Sequence, residues 1–417
     1  MNKILNFRNA THSLAGTVSF TVGSHLAAGW LAAVLLVMTA ATPLHAQQRI
    51  TLDEAIGKAV RDYPALRASR LQARSAAMLG KSASALGEME ISGGGEEIGR
   101  GNDAVYTLAR VRQSIDPFGA SGLRQRLQAQ ARVAEAETGV AERTLSRQVS
   151  LDYINDYAAQ LRCENMARTD SLYADFAEVA RQRYETQAIS PLEYQTALNR
   201  SQQVRLALAE AQKDLGMAHA NLSRWLSADT LYMAAGVAPG LEPAAIMQPD
   251  SHPEALLSQQ RIQLSQATVK EMRAQRQPKF FVEAGVQKIG PTAGYYAWQV
   301  GISVPIAVGA TKASVRSAAI ALERSEADAE ETRRQLGNRL ATLRMTYDKY
   351  AQSVDYYRSH ALPLAREQQR IASLSYRAGS IGYLDFIQAV NDALTTEMSY
   401  VEAYTRMLES KYQLLYY

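Results

Sequence analysis

Glu193 and Asp385 stand 192 residues apart in matching contexts, each three positions after a residue that can start a helix, Ser190 and Gly382. Ser190-Pro191-Leu192-Glu193 reads as a capping box with proline at the first helical position, and Gly382-Tyr383-Leu384-Asp385 is the equivalent turn. A carboxylate in a first helical turn interacts favourably with the helix dipole, which is one complete explanation for both acids. The other is charge selection. Were the two acids to line a pore, their charge would favour cations. Both readings stand at this point.

Other chemistry has little to work with. His12, His25 and His45 lie in an N-terminal export segment, and His219, His252 and His360 show no ligand spacing, so no metal site is expected. The methionines form no cluster, and no nucleophile motif, phosphate loop or HExxH is present. The expectation is no enzyme and no cofactor.

The acids belong to a duplication. RYETQAISPLEYQTALNR from Arg183 is answered by SYRAGSIGYLDFIQAVND from Ser375, with Tyr184 matching Tyr376. Pro64 returns as Pro253 and Ser114 as Ser303, each 189 residues on. Tyr184 and Tyr376 read as packing residues of the turn. Gln187 stands in the place that Gly379 takes in the second copy, so the first turn is expected to be built differently.

Residues 1–46 read as a signal peptide: Lys3 and Arg8, an apolar run from Leu26 to Ala41, then Thr42-Pro43-Leu44-His45-Ala46. Removing it takes the formal charge from +4 to +2, a balance that gives no reason to expect a nucleic-acid partner. No later stretch is apolar enough for a transmembrane helix. Cys163, the only cysteine, falls in a helical stretch, which excludes an internal disulfide.

Each copy reads helix, two strands, long helix, tight break, helix: residues 47–226 and 252–417, joined by a linker at 227–251 rich in Gly and Pro. Thr51-Leu-Asp-Glu54 is a capping box. From Gly122 to Gln187 no proline intervenes, enough for a helix of roughly 100 Å at ~1.5 Å per residue. A comparable run extends from Thr311 to His360, and Pro363 is expected to restart or bend it. The apolar stripe, with Leu145, Val149, Tyr153 and Tyr157, or Val315, Ala318 and Leu322, suits helices packed in a long array.

Strands are expected at about 88–98, 104–115, 279–289 and 295–305. Tyr296, Trp298, Val300, Ile302 and Val304 alternate with small or polar residues. Val105, Thr107, Ala109 and Val111 do so less persuasively against Tyr106, Leu108, Arg110 and Arg112. Each strand is near the length that crosses a bilayer obliquely. Four strands cannot close a barrel, and an open edge in lipid leaves backbone groups unpaired, so several chains must pool them.

The start ITLDEAIGKAVRDYPAL (Ile50 to Leu66) and the duplicated tip motif, clearest as Tyr376-Arg-Ala-Gly379-Ser-Ile-Gly-Tyr-Leu-Asp385, resemble the outer-membrane efflux factors of the TolC type across essentially the whole mature chain. The resemblance implies a mainly α protein with a small membrane β part: internally duplicated helical hairpins, and a homotrimer whose four strands per protomer form a twelve-stranded barrel continued by an α-helical barrel. It implies the outer membrane of a Gram-negative bacterium, with the tunnel reaching through the periplasm to an adaptor and an inner-membrane pump. The closing stretch looks most like members serving heavy-metal pumps of the resistance-nodulation-division class. In the family, acids at the positions of Glu193 and Asp385 line the entrance. Gln388 stands where some members carry another acid, and Ile381 where some carry a latching arginine. The turn residues Tyr184, Gln187, Ser190, Pro191, Tyr376, Gly379 and Gly382 would meet the adaptor. The competing function is a periplasmic coiled-coil adaptor or scaffold with no membrane-spanning part.

Overall fold

The computed structural model describes residues 48–96, 104–226, 230–236, 248–305 and 308–416. The expected signal peptide lies outside them, as does most of the expected linker. Strand β1 (Gln48–Ile50) leads into α1 (Leu52–Asp62) and α2 (Pro64–Leu79). The hairpin β2 (Leu86–Glu96) and β3 (Val105–Ile115) precedes α3 (Pro117–Glu185) and α4 (Pro191–Ser223). After β4 (Tyr232–Ala234), the pattern returns as α5 (Pro253–Ala274), β5 (Lys279–Ile289), β6 (Thr292–Ser303), α6 (Val308–Tyr356), α7 (Leu362–Arg377) and α8 (Tyr383–Tyr416).

The 69-residue α3 is the spine. Asp116 caps it, its Oδ1 accepting from the Gly119 N–H at 2.7 Å, with Pro117 at the first position. It therefore begins five residues before the expected Gly122. Beside its first half lie α2 and α5, with α6 beyond α5; beside its second half lie α4 and α8, with α7 beyond α8. Both layers end in helices with exposed apolar side chains: Leu71 and Met78 on α2, Ile320 on α6, Leu206 on α4, and Leu364 and Leu374 on α7. A layer with two uncovered apolar edges is an incomplete structure.

The middle of α3 is pinned by polar contacts to the start of the first copy, to α4 and to the segment that follows α4. β1 pairs in parallel with β4, two short strands that were not expected from the sequence. The hydroxyl of Tyr153, a fully buried residue, shares its one proton between the Ile50 and Gly236 carbonyls at 3.0 and 2.8 Å and accepts from the Ala235 N–H. Asp156, also fully buried, accepts from the Ala234 N–H and from Gln160 Nε2, each at 2.8 Å, and contacts His219 Nδ1. His219 is thus a structural partner of a carboxylate 63 residues away, invisible to any local spacing rule.

The second long helix is not a copy of the first. At Tyr357–Ala361 the backbone opens into a π-turn, with Pro363 just beyond it in the first turn of α7. Proline has no N–H for a carbonyl one turn back, and the wider turn absorbs that mismatch without a full break. Pro363 therefore restarts the helix, as its chemistry requires.

Candidate functional site

Among the described residues the sheet runs β2–β3–β5–β6, antiparallel throughout, with β2 and β6 as open edges. Register places side chains in rows: Ile91, Val111, Ala284 and Trp298 in one, Met89, Gln113, Val282 and Val300 in the next, Leu86, Ile115, Phe280 and Ile302 in the third. Trp298 is 81% exposed and Tyr296 85%, with Val300 and Ile302 each above 60%. Water does not tolerate a contiguous face of this kind without cause.

The opposite face is polar. Glu90, Arg112, Glu283 and Gln299 share a row, Arg110 pairs with Glu283 at 3.2 Å, and the Arg112 guanidinium lies over the Phe281 ring at 4.1 Å. Phe281 itself covers Gly301, where a Cβ would strike the ring. The first hairpin departs from the expected alternation. A bulge between Thr107 and Ala109 slips β3 by one residue, leaving Tyr106 and Leu108 exposed above it and Val111 below.

At the far end of the helices, the two tip turns sit side by side. The first closes with Ala188 N–H to the Arg183 carbonyl at 2.7 Å and Gln187 N–H to Tyr184 at 2.9 Å. The second closes with Ser380 N–H to Ser375 at 2.9 Å and Gly379 N–H to Tyr376 at 3.0 Å. The bonding is the same, and so is the left-handed residue: φ is +59° at Gln187 and +74° at Gly379. The expectation of a differently built first turn is therefore overturned. Its ladder demands one left-handed residue, and Gln187 supplies it despite a cost of about 1–2 kcal/mol. Among the described residues no other non-glycine has positive φ.

After the turns, Ser190 and Pro191 start α4, the Ser190 hydroxyl accepting from the Glu193 N–H at 3.2 Å. Only this half of the expected capping box forms, whereas Thr51 and Glu54 complete both halves of theirs. The Glu193 carboxylate is thus not spent on the cap. It lines a groove of about 440 Å³ together with Asp385, Ser190, Leu192, Thr196, Gly382, Tyr383 and Leu384. Helix starts 192 residues apart in sequence meet here. Gln388 is exposed one turn further along α8 and does not line the groove.

Beneath the groove is an aromatic core that the sequence reading did not single out. Tyr376 is fully buried, its ring 5.2 Å from that of Phe386, which lies 3.8 Å from Phe176. Arg183 lies over Tyr376 and donates to its carbonyl at 3.3 Å. Tyr184, the equivalent of Tyr376, is 40% exposed and stacks instead on Tyr194 at 5.3 Å. Burial pushes the Tyr383 phenol well above its usual range. The spacing Tyr383–Phe386 on one helical face was the available signal. Among the described residues, no group of three or more His, Cys, Asp or Glu could hold a metal, and no helix is long and apolar enough to cross a membrane.

Residues 250–416 match the family model described as outer membrane efflux protein. No curated protein sequence matches the chain. The fold is similar to that of a membrane protein from Pseudomonas aeruginosa, at 18% identity and TM-score 0.75, over 88% of this chain and 92% of that one. It is similar to the outer membrane protein VceC of Vibrio cholerae, at 16% identity and TM-score 0.71, over 87% and 95%. It also resembles the Neisseria gonorrhoeae MtrE outer membrane channel in its open state, at 17% identity and TM-score 0.68, over 88% of both chains.

Proposed function

We propose that the chain, whose residues 250–416 match the family model described as outer membrane efflux protein, forms the outer-membrane channel of a tripartite efflux system, a passive duct and not an enzyme. One observation carries this: a four-stranded sheet, open at both edges and apolar on one face, continues directly into a helical layer also open at both edges. A periplasmic scaffold would leave Trp298, Val300 and Ile302 in water. Lipid removes that cost. Strands of 11 and 12 residues, tilted as in membrane barrels, suit a hydrocarbon layer of roughly 25–30 Å.

Lipid also forbids the unpaired edges of β2 and β6, so neighbouring copies must supply the missing ladders. Three copies give twelve strands, the polar face with Arg110, Arg112 and Glu283 then facing a water-filled bore. The helices carry that bore through the periplasm to the tips, where an adaptor and an inner-membrane pump engage. Tyr184, Gln187, Ser190, Pro191, Gly379 and Gly382 are exposed and shape the surface on which an adaptor would dock; Tyr376, expected among them, is fully buried and supports the turn from beneath. The pump supplies the energy, and a heavy-metal pump of the resistance-nodulation-division class is the partner that the closing stretch favours.

At the mouth, Glu193 and Asp385 act as the charge filter. Glu193 is free to do so because its carboxylate does not cap the helix, and both acids open on one groove. Single-channel recording in planar bilayers tests the proposal. Cation-preferring conductance is expected, and E193A/D385A should lose that preference with trimers intact. Unchanged selectivity would leave both acids structural. Absence of any conductance from the wild type would end the duct reading.

A further inference from the structure

We propose that the junction between sheet and helices holds a binding site for the headgroups of anionic phospholipids, an inference that rests on the membrane-spanning reading above. The last outward row of the sheet is Leu86, Ile115, Phe280 and Ile302. Directly below it the chain turns into α3, and Lys279 pairs with the capping Asp116 at 3.2 Å. A groove of about 470 Å³ opens there between the first turns of α3 and the last turn of α5, lined by Phe118, Ser121, Gln125, Lys270, Arg273 and Gln277.

Its floor is fixed by Gly122, where a Cβ would lie 2.8 Å from Glu271 Cα. Glu271 is buried and its carboxylate is taken by Arg126. The one acid of this stretch is therefore unavailable to its basic neighbours. Lys270, Arg273 and Arg276 are exposed, and among the described residues none has a carboxylate partner. Phe118 is 46% exposed at the same level.

An uncovered aromatic ring beside unpaired cations, about one helical turn beyond the last lipid-facing row, matches what the headgroup boundary recognises. The ring meets the acyl shoulder, and the guanidinium and ammonium groups meet phosphate. A soluble phosphate ion would give Phe118 nothing to cover it, and a ring aimed into a water-filled bore would have no partner at all. The occupant is thus an anionic phospholipid on the periplasmic side of the bilayer.

Brominated lipids test this. F118W in a W225F/W298F background is reconstituted into phosphatidylcholine vesicles that contain either brominated phosphatidylglycerol or brominated phosphatidylcholine at equal fraction. Because each basic residue near an anionic surface is worth roughly five-fold in binding, quenching of Trp at position 118 should favour phosphatidylglycerol by about five-fold or more. K270Q/R273Q/R276Q should reduce that ratio to about one. Equal quenching by both lipids, a preference that survives the triple variant, or a preference abolished by inorganic phosphate would each overturn the site. Quenching of native Trp298 by either lipid, read in W225F, reports insertion separately. Its absence would instead sink the membrane reading.

Discussion

The two tip turns follow one backbone path and are held by different means. In the second copy a glycine takes the left-handed position and Tyr376 is sunk among Phe176, Tyr383 and Phe386. In the first copy a glutamine takes that position, and the matching Tyr184 lies on the surface against Tyr194. The helices leading in differ as well, α3 running unbroken while α6 yields to a π-turn and α7. Backbone geometry at the tip is thus imposed by the meeting of the two hairpins. The side chains distribute its cost unequally, with strain in the first turn and burial in the second.

The largest expected effect separates the two aromatic settings. Phe386→Ala should cost about 3–5 kcal/mol in denaturant unfolding of the detergent-solubilised protein, because the ring is fully buried between Phe176 and Tyr376. Tyr184→Ala should cost below about 1 kcal/mol, since its ring is already half in solvent. Equal costs would erase the distinction between the turns.

Tyr153 and Tyr404 extend the comparison up the helices. Burial raises both phenols to about 12. The unfolded chain ionises them near the ordinary value of about 10, so their contribution is intact below pH 10 and is lost as pH rises towards 12. Alkaline titration of unfolding should show this loss, and Y153F/Y404F should flatten it. At neutral pH, Tyr153→Phe alone should cost about 1–2 kcal/mol, because the Ile50 and Gly236 carbonyls lose their donor.

Next come the turns themselves, where opposite signs are expected. Gly379→Gln should destabilise by about 1 kcal/mol and Gln187→Gly should stabilise by a similar amount. Space does not decide the matter, as a Cβ at Gly379 would meet only Arg183 Nη2 at 3.7 Å. Destabilisation by both changes would mean that Gln187 is held by side-chain contacts. The smallest effect is kinetic. Amide exchange should be faster at Tyr357–Ala361 than at the same depth of α3, around Asn165 to Thr169, where the helix is regular and partly buried.

Periodicity made the long helices and the second hairpin legible, because an uninterrupted 3.6-residue stripe and a clean alternation through Tyr296 to Val304 need no tertiary information. Glu193 and Asp385 were found because duplication placed them in register. The bulge at Leu108 was hidden, since it is set by pairing with β5 and not by β3 itself. Gln187 misled because propensity speaks against a left-handed glutamine, and tertiary closure of the tip overrides it. The three-residue strands β1 and β4 are too short to show alternation. Asp156 and His219 meet only when α4 folds back on α3, a relation that no local spacing carries.

All of this depends on copies completing one another. Electron cryomicroscopy of the detergent-purified protein tests that most directly. The expected particle is a threefold hollow cylinder, with β2 of each chain bonded to β6 of its neighbour and the Trp298 face turned to detergent. A sheet whose edges are covered within a single chain, or a solid monomeric particle, would contradict it.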